Sequence, residues 1–532
     1  MSSVVENISH AAQRQAFSLM IDGLLKHLDK ADDRTATYLK IADEAEKFYG
    51  KGADKAAIDR ARKAIQDPDN RWVKFINRVL DETDPHVAKT MLLNLGYEAF
   101  FRGTKTIRAN REKYNCNIPW LILFDPTSAC NMHCKGCWSG TYGHKSMLSF
   151  DDMDKIVTQG KELGVYLYMM TGGEPMVRKA DIIKLAEKHN DVEFALYSNS
   201  TLIDEDFCKE LVRLGNITFQ LSIEGTPETN DFRRGEGHYA AVMKAMDLLK
   251  KYGIVFGTSI CYTRENIEAV TDEKFLRMIA DKGARYGFFF HYMPVGNNAV
   301  PELMPTVEQR RKMVDKIRYI RSDKCDIGFY PMDFQNDGEF VGGCIAGGRN
   351  YFHINAHGDA EPCVFIHYSN TNIHDNSILE MLQSPLFMEY HKGQPFNRNH
   401  LRPCPMLENP ELLREMVARS GAHGTNEESE ESVEHLCEKC DDYAKEWAPV
   451  ADEIWKSETH KKPKYENYIK EKRDNDTLAA FEHVPEKQPG NAVNQQSDNI
   501  RNPGWQLPSG VFTYRTCEAG SVEMNCQCSL FQ

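Results

Sequence analysis

From residue 116 to about residue 325 the chain alternates short apolar runs with amphipathic stretches, and this alternation constrains the fold more than any other feature. Short apolar runs bounded by turn signals read as buried strands, and apolar residues spaced by three and four read as helices. Strands are expected at 119–125, 165–170, 193–198, 217–223, 255–262 and 287–293, with helices between them, as at Phe150–Leu163, Asp204–Leu214 and Tyr239–Tyr252. Such repeats specify an α/β fold with a parallel sheet and crossover helices.

The first strand runs directly into Asp125-Pro-Thr-Ser-Ala-Cys130-Asn-Met-His-Cys134-Lys-Gly-Cys137-Trp138, a C-x3-C-x2-C loop. Three thiolates on one loop can hold three irons of a [4Fe-4S] cube and leave the fourth iron without a protein ligand. A zinc knuckle is the alternative, with His133 as fourth ligand. Zinc sites favour paired C-x2-C units, however, and His133 would have to reach back strained within its own loop. The second strand ends in Thr171-Gly172-Gly173-Glu174-Pro175. Two glycines let the backbone come close to a ligand, and a carboxylate there accepts from an ammonium.

Taken together, the C-x3-C-x2-C loop and the GGEP segment one strand later resemble the radical S-adenosylmethionine (radical SAM) superfamily. The resemblance implies a partial (β/α)6 TIM-type barrel with its chemistry at the C-terminal ends of the strands. It implies that Cys130, Cys134 and Cys137 are the catalytic cluster ligands and that SAM chelates the open iron. It further implies that Gly172, Gly173 and Glu174 bind the SAM amino group. Ser198 and Asn199, which end the third strand, and Ser222 and Glu224, at the end of the fourth, would contact its ribose and carboxylate. Tyr262 and Thr263 end the fifth strand, and His291 to Gly296 after the sixth would cradle adenine. Each of these polar residues equally suits capping its own loop. The sequence departs from the family pattern twice: Gly136 stands where many members have an aromatic residue, with Trp138 beyond it, and Asn199-Ser200 replaces an asparagine-glycine turn. The implied reaction is reductive cleavage of SAM to a 5'-deoxyadenosyl radical that removes a hydrogen from the substrate. Its electron would come from a reductant such as flavodoxin or ferredoxin.

Beyond about residue 326 the character changes to a small Cys-rich α+β region, expected to end near 456. Cys344 and Cys363 flank a strand-like Tyr351–Asn355 and a hairpin turn at 356–359, and Cys404, Cys437 and Cys440 follow. The spacing resembles a SPASM or twitch domain, which implies one auxiliary [4Fe-4S] cluster. Cys344, Cys363, Cys437 and Cys440 are its expected ligands, with Cys404 able to replace one of them. Structural zinc on the same residues is the rival reading. Cys116, Cys208, Cys261 and Cys325 read as isolated buried thiols. The run from Glu427 to Glu434 reads as a solvated face, and Trp447–Trp455 as a last amphipathic helix. Residues 457–503 read as a flexible polar linker. The tail 504–532, with Cys517, Cys526 and Cys528, has three readings: a disordered or docked end, an extra ligand set, or a tethered peptide substrate.

Residues 1–115 read as helical, with an apolar face of Ala16, Phe17, Leu19, Met20, Ile21, Leu24, Leu25 and Leu28. The region serves either as a cap on the barrel or as a substrate-recognition module. The 532 residues, 41% of them hydrophobic, suffice for more than one core. A formal charge of -13 argues against a nucleic-acid-binding surface. Neither an apolar run long enough to span a bilayer nor a signal sequence is present, so a cytoplasmic protein is expected, with peripheral membrane contact left open. Fifteen cysteines in such a chain point to metal ligation, and clusters of this kind to an anaerobic cell. The expected substrate is a peptide or protein side chain that is cross-linked or oxidised. The alternative is radical coupling or modification of a lipid or other small metabolite, which the aromatic sixth strand would suit.

Overall fold

The computed structural model describes residues 2–30, 33–49, 55–426 and 430–457. The expected linker, the tail with Cys517, Cys526 and Cys528, and the start of the acidic run at 427–429 lie outside the described residues.

Six parallel strands form where the apolar runs predict them: β1 (Leu121–Phe124), β2 (Leu167–Met170), β3 (Glu193–Ser198), β4 (Ile217–Ser222), β5 (Phe256–Tyr262) and β6 (Tyr286–His291). Each pairs with the next in sequence order, giving the partial (β/α)6 barrel. The crossover helices are set by local chemistry. Phe150–Leu163 starts at a Ser149–Asp152 capping box, which satisfies two orphan N–H groups, and ends at Gly164 with φ 101°. Alternation along the strands sorts the side chains. Ile122, Tyr168, Phe194, Phe219, Ile260 and Phe289 point outward into the core beneath the helices. Their neighbours point into the lumen.

The sheet continues past the six strands. β7 (Tyr330–Asp333) extends it beyond β6, and β8 (Tyr351–Ile354) pairs parallel with β1, aligning Leu121 with Tyr351 and Leu123 with His353. β9 (Ala360–Glu361) returns antiparallel, so the hairpin read at 351–363 is present. Its placement is the correction: the strand read as part of a separate C-terminal unit closes an edge of the barrel sheet. An open barrel leaves the backbone groups of β1 unpaired on one side, and β8 satisfies them. The last helix runs Val433–Ser457 and carries Cys437 and Cys440 one turn apart.

The N-terminal helices pack on the end of the barrel opposite the Cys130 loop. Arg71 donates to the carbonyls of Ser322 and Ile327, Arg78 to that of Ala280, and Asn94 to those of Asn190 and Val192. Ser322, Ile327, Asn190 and Val192 lie in the segments that lead into strands, and Ala280 in the last turn of the helix Glu273–Asp281. The helix Thr104–Tyr114 closes the region read as helical. The expected apolar face does not hold throughout: Ile21 and Leu28 are buried, whereas Leu19, on the opposite side from the 17–21–24–28 stripe, and Met20, at that stripe's edge, are exposed. No described helix is long and apolar enough to cross a membrane.

Candidate active site at the cysteine loop and barrel lumen

Cys130, Cys134 and Cys137 lie half-buried on the loop that leaves β1. Burial pushes the Cys130 thiol up to about 11 and raises Cys134 as well, the latter against the nearby Arg234 charge. Sulfur placed this way is costly as a lone thiolate and gains by ligating iron. Among the described residues no three His, Cys, Asp or Glu side chains converge as a preformed metal site. The fit therefore rests on the donor set: three sulfurs of one short loop, with Asn199 Nδ2 standing 4.0 Å from Cys130 Sγ. His133 is exposed and packs edge-on against His144 at 5.8 Å.

The GGEP segment is built against this loop. Glu174 N donates to the Ala129 carbonyl at 2.8 Å, and Gly173 N to that of Thr127 at 2.9 Å. A Cβ at Gly173 would lie 2.1 Å from Ala129 O, and one at Gly172 2.5 Å from Thr127 O. The glycines thus admit the backbone of the cysteine loop. Glu174 is buried and accepts from Met176 N, Ser198 Oγ and Asn199 N at 3.0, 2.8 and 2.7 Å. It ties the end of β3 to the end of β2, so much of its capacity to hold an ammonium is already used. Burial raises Glu174 from 4.5 to about 7, against the hydrogen bonds that favour its ionised form. A folded-state pKa above the unfolded one means that folding binds a proton between those values, so stability falls as pH rises from 4.5 towards 7. Chemical denaturation across that range should show this fall for the native chain and a flatter profile for Glu174→Gln.

Sequence reasoning named Glu224 after β4 but missed Arg233 and Arg234, which hold it. Glu224 Oε1 is held by Arg233 at 2.6 Å and Arg234 at 2.8 Å, while Glu224 Oε2 and Arg233 Nε are buried without partners. Arg233 lies close enough to Cys134, Cys137 and Cys261 to feel their charge. A free guanidinium N–H beside a free carboxylate oxygen suits the carboxylate and ammonium of a zwitterionic ligand. Ser222 ends β4 nearby. The adjacent arginines at the end of the helix Pro227–Arg234, which follows strand four, were the available signal. Cys261 is not the buried structural thiol expected; alternation along β5 turns it into the lumen, where it is half-buried. The departure at Gly136 has a steric cause: a Cβ there would lie 2.5 Å from the hydroxyl of Tyr292, which reaches over from the end of β6.

Beneath the loop a chain of buried titratable groups joins the barrel to its added strands. His353 on β8 is buried, with Nδ1 2.7 Å from Glu361 Oε2 and Nε2 2.9 Å from Asp125 Oδ1, the latter an ion pair not aligned as a hydrogen bond. Tyr142, Thr425 and Asn355 complete the Glu361 carboxylate. Burial alone would lower His353, but the two carboxylates outweigh it and raise it to about 10.

Cys344, Cys363 and Cys404 line one cavity of about 180 Å³. Cys404 Sγ accepts from Met406 N and Leu407 N at 3.4 Å each, the kind of donor environment that suits a ligating sulfur. Cys437 and Cys440 are buried in the same apolar cluster but do not line the cavity. Cys404 therefore sits nearer Cys344 and Cys363 than its reserve role implied. The acidic run is not wholly solvated either: Glu431 is buried, accepting from Gly296 N at 2.8 Å and Lys439 Nζ at 2.5 Å.

Burial along the strands maps a hollow. Every strand residue of β1–β8 that is not fully buried points inward. Leu121, Met169 and Tyr197 line one side, Ser259 and Cys261 another, and Tyr286, Phe288, Phe290 and Met332 the third. Phe290 continues into Phe334 at 5.1 Å and Phe365 at 6.4 Å, and Phe365 meets Trp138 of the cysteine loop at 6.2 Å.

Residues 124–276 match the family model of the radical SAM superfamily. An uncharacterized protein of Archaeoglobus fulgidus is 29% identical over 160 residues, covering 29% of this chain and 38% of that protein. The GTP 3',8-cyclase of Thermodesulfovibrio yellowstonii is 25% identical over 341 residues, covering 58% of this chain and all of that enzyme. Among solved structures, Streptococcus suis SuiB bound to the precursor peptide SuiA aligns with TM-score 0.46 and 18% identity over 55% of this chain and 71% of that one. The chain spans well under half the length of the first of these relatives. Residues 124–276 therefore form a radical SAM superfamily domain, and the enzymes of that superfamily use a [4Fe-4S] cluster and SAM.

Proposed function

We propose that this radical SAM chain holds its catalytic cluster on Cys130, Cys134 and Cys137 and takes a hydrogen atom from an apolar group of its substrate inside the lumen. With SAM bound and one electron delivered, such a cluster supplies a 5'-deoxyadenosyl radical. The observation that carries the reading is the hollow, whose accessible wall is mostly aromatic and aliphatic. An unactivated C–H bond offers no charge to grip, so apolar walls must position it and keep water away. Around the loop, Arg233 Nε and Glu224 Oε2 are the groups available to the amino-acid end of SAM, together with the backbone of Gly172 and Gly173. Glu174, Ser198 and Asn199 hold the strand ends in place, and Ser222 borders the same cradle. Cys344, Cys363 and Cys404, completed by Cys437 or Cys440, are the proposed ligands of one auxiliary cluster.

A peptide side chain and the acyl tail or ring of a small metabolite share this apolar chemistry, and one experiment separates them. The reconstituted protein is incubated anaerobically with SAM and dithionite, and 5'-deoxyadenosine and intact protein mass are both read. Deoxyadenosine should form slowly alone and several-fold faster with a lipid extract or apolar peptides, but not with GTP. A loss of two hydrogens mapped to Cys517–Cys528 would place the substrate in the chain's own tail. Absence of deoxyadenosine, or stimulation by GTP equal to that by apolar compounds, would refute the proposal.

A further inference from the structure

Glu193 opens β3 at the end of the barrel far from the cysteine loop. It is 1% exposed, and neither carboxyl oxygen has a hydrogen-bond partner. Alternation places it inward, because Phe194 and Leu196 beside it belong to the outer core. Gln220 on β4 is likewise 1% exposed; its Nε2 donates to the Tyr286 hydroxyl at 2.7 Å, while its Oε1 has no partner. Tyr286 lies near enough to Glu193 for the carboxylate to raise its phenol. Gly257 makes room for the Tyr286 ring, since a Cβ there would lie 2.4 Å from Cε2. Tyr286 and Phe288 are half-buried, and by the same alternation they stand on the inward face above Glu193 and Gln220.

An apolar lumen thus ends in buried acceptors that lack donors. A carboxyl buried without partners costs several kcal/mol, and such a group persists where a ligand or ordered water completes it. We propose that Glu193 and Gln220 form a second recognition point, receiving an ammonium or amide group at the far end of the substrate whose apolar body lies against Tyr197, Phe288 and Phe290. This rests on the apolar-substrate reading above. The five residue steps from Glu193 to Ser198 correspond to about 16 Å, so the substrate would present its N–H donors a comparable distance from the C–H bond that reacts. A substrate that is apolar throughout, such as an unmodified hydrocarbon tail, would leave these acceptors empty and bind poorly.

The test uses small probes and needs no radical chemistry. Binding of n-hexylammonium, hexanamide and hexanoate to the full-length protein is measured calorimetrically, for the native chain, Glu193→Leu and Glu193→Gln. The native chain should bind hexylammonium and hexanamide saturably and hexanoate at least about ten-fold more weakly, as expected when a hydrogen bond to a charged group is lost. Glu193→Leu should lose that preference. If it does not fold, the near-isosteric Glu193→Gln should still weaken hexylammonium about ten-fold while retaining hexanamide. Equal binding by native and variant chains, as internal water on Glu193 would give, overturns the proposal, as does equal binding of hexanoate or no saturable binding. Deoxyadenosine formation by the native chain with dithionite tests the underlying reading separately.

Discussion

Replacing Cys134 with alanine should reduce deoxyadenosine formation to background and remove about four irons per chain after anaerobic reconstitution. The three sulfurs share one loop, so losing one leaves two iron corners of a cube without adjacent protein ligands. His133 is no substitute, because its ring is exposed against His144 and belongs to the same short loop. A zinc knuckle predicts otherwise: the native chain would carry zinc, and the variant would lose zinc without any change in iron. The companion variant with Cys130, Cys134 and Cys137 all replaced by alanine reads the second site. It should retain about four irons on the thiols around the Cys344–Cys363–Cys404 cavity. Zinc alone, or no metal, in that variant would refute the auxiliary cluster while leaving the first assignment intact.

His353→Leu should destabilise the chain by about 3–5 kcal/mol, because it leaves the buried Asp125 and Glu361 without their shared cation. The group titrates from 6.5 when unfolded to about 10 in the fold. A raised histidine stabilises fully below the unfolded value, and its contribution disappears as pH rises through the folded one. The difference between native and variant in denaturant titrations should therefore be largest below pH 6.5 and shrink towards pH 10. A constant difference across that range would mean that His353 acts by packing alone. Because His353 ties β8 to Asp125, just past the end of β1 and ahead of Cys130, the variant should also reconstitute its iron less completely than the native chain.

Much of the barrel was legible in the sequence. Strand and helix periods differ, so Tyr168, Phe194, Phe219 and Phe289 announce buried strands without reference to distant residues. The helix starts expected at Phe150, Asp204 and Tyr239 lie within a residue of those observed. The three-cysteine loop was legible for the same reason, since loop donors a few residues apart are neighbours in any fold.

The roles within the site were less legible, because they depend on which residues meet. Gly172 and Gly173 signalled close approach, but not that the approaching group is the backbone at 127–129. Glu174 signalled a ligand carboxylate, yet β3 supplies two of the three donors that occupy it. Cys404 gained weight over Cys437 and Cys440 because it lines the same cavity as Cys344 and Cys363, from which it is distant in sequence.

By itself the sequence determined the six βα units, their order and the loop that carries three thiols, because periodicity, turn residues and short spacings are local properties. Only the tertiary structure decided that β8 closes the edge of the sheet at β1, that His353 lies between Asp125 and Glu361, and that Glu193 stands unpartnered at the foot of an aromatic lumen. Each of these depends on which distant backbone and charge a residue is buried against, and burial makes an unpaired edge or carboxylate costly only once the chain has folded around it.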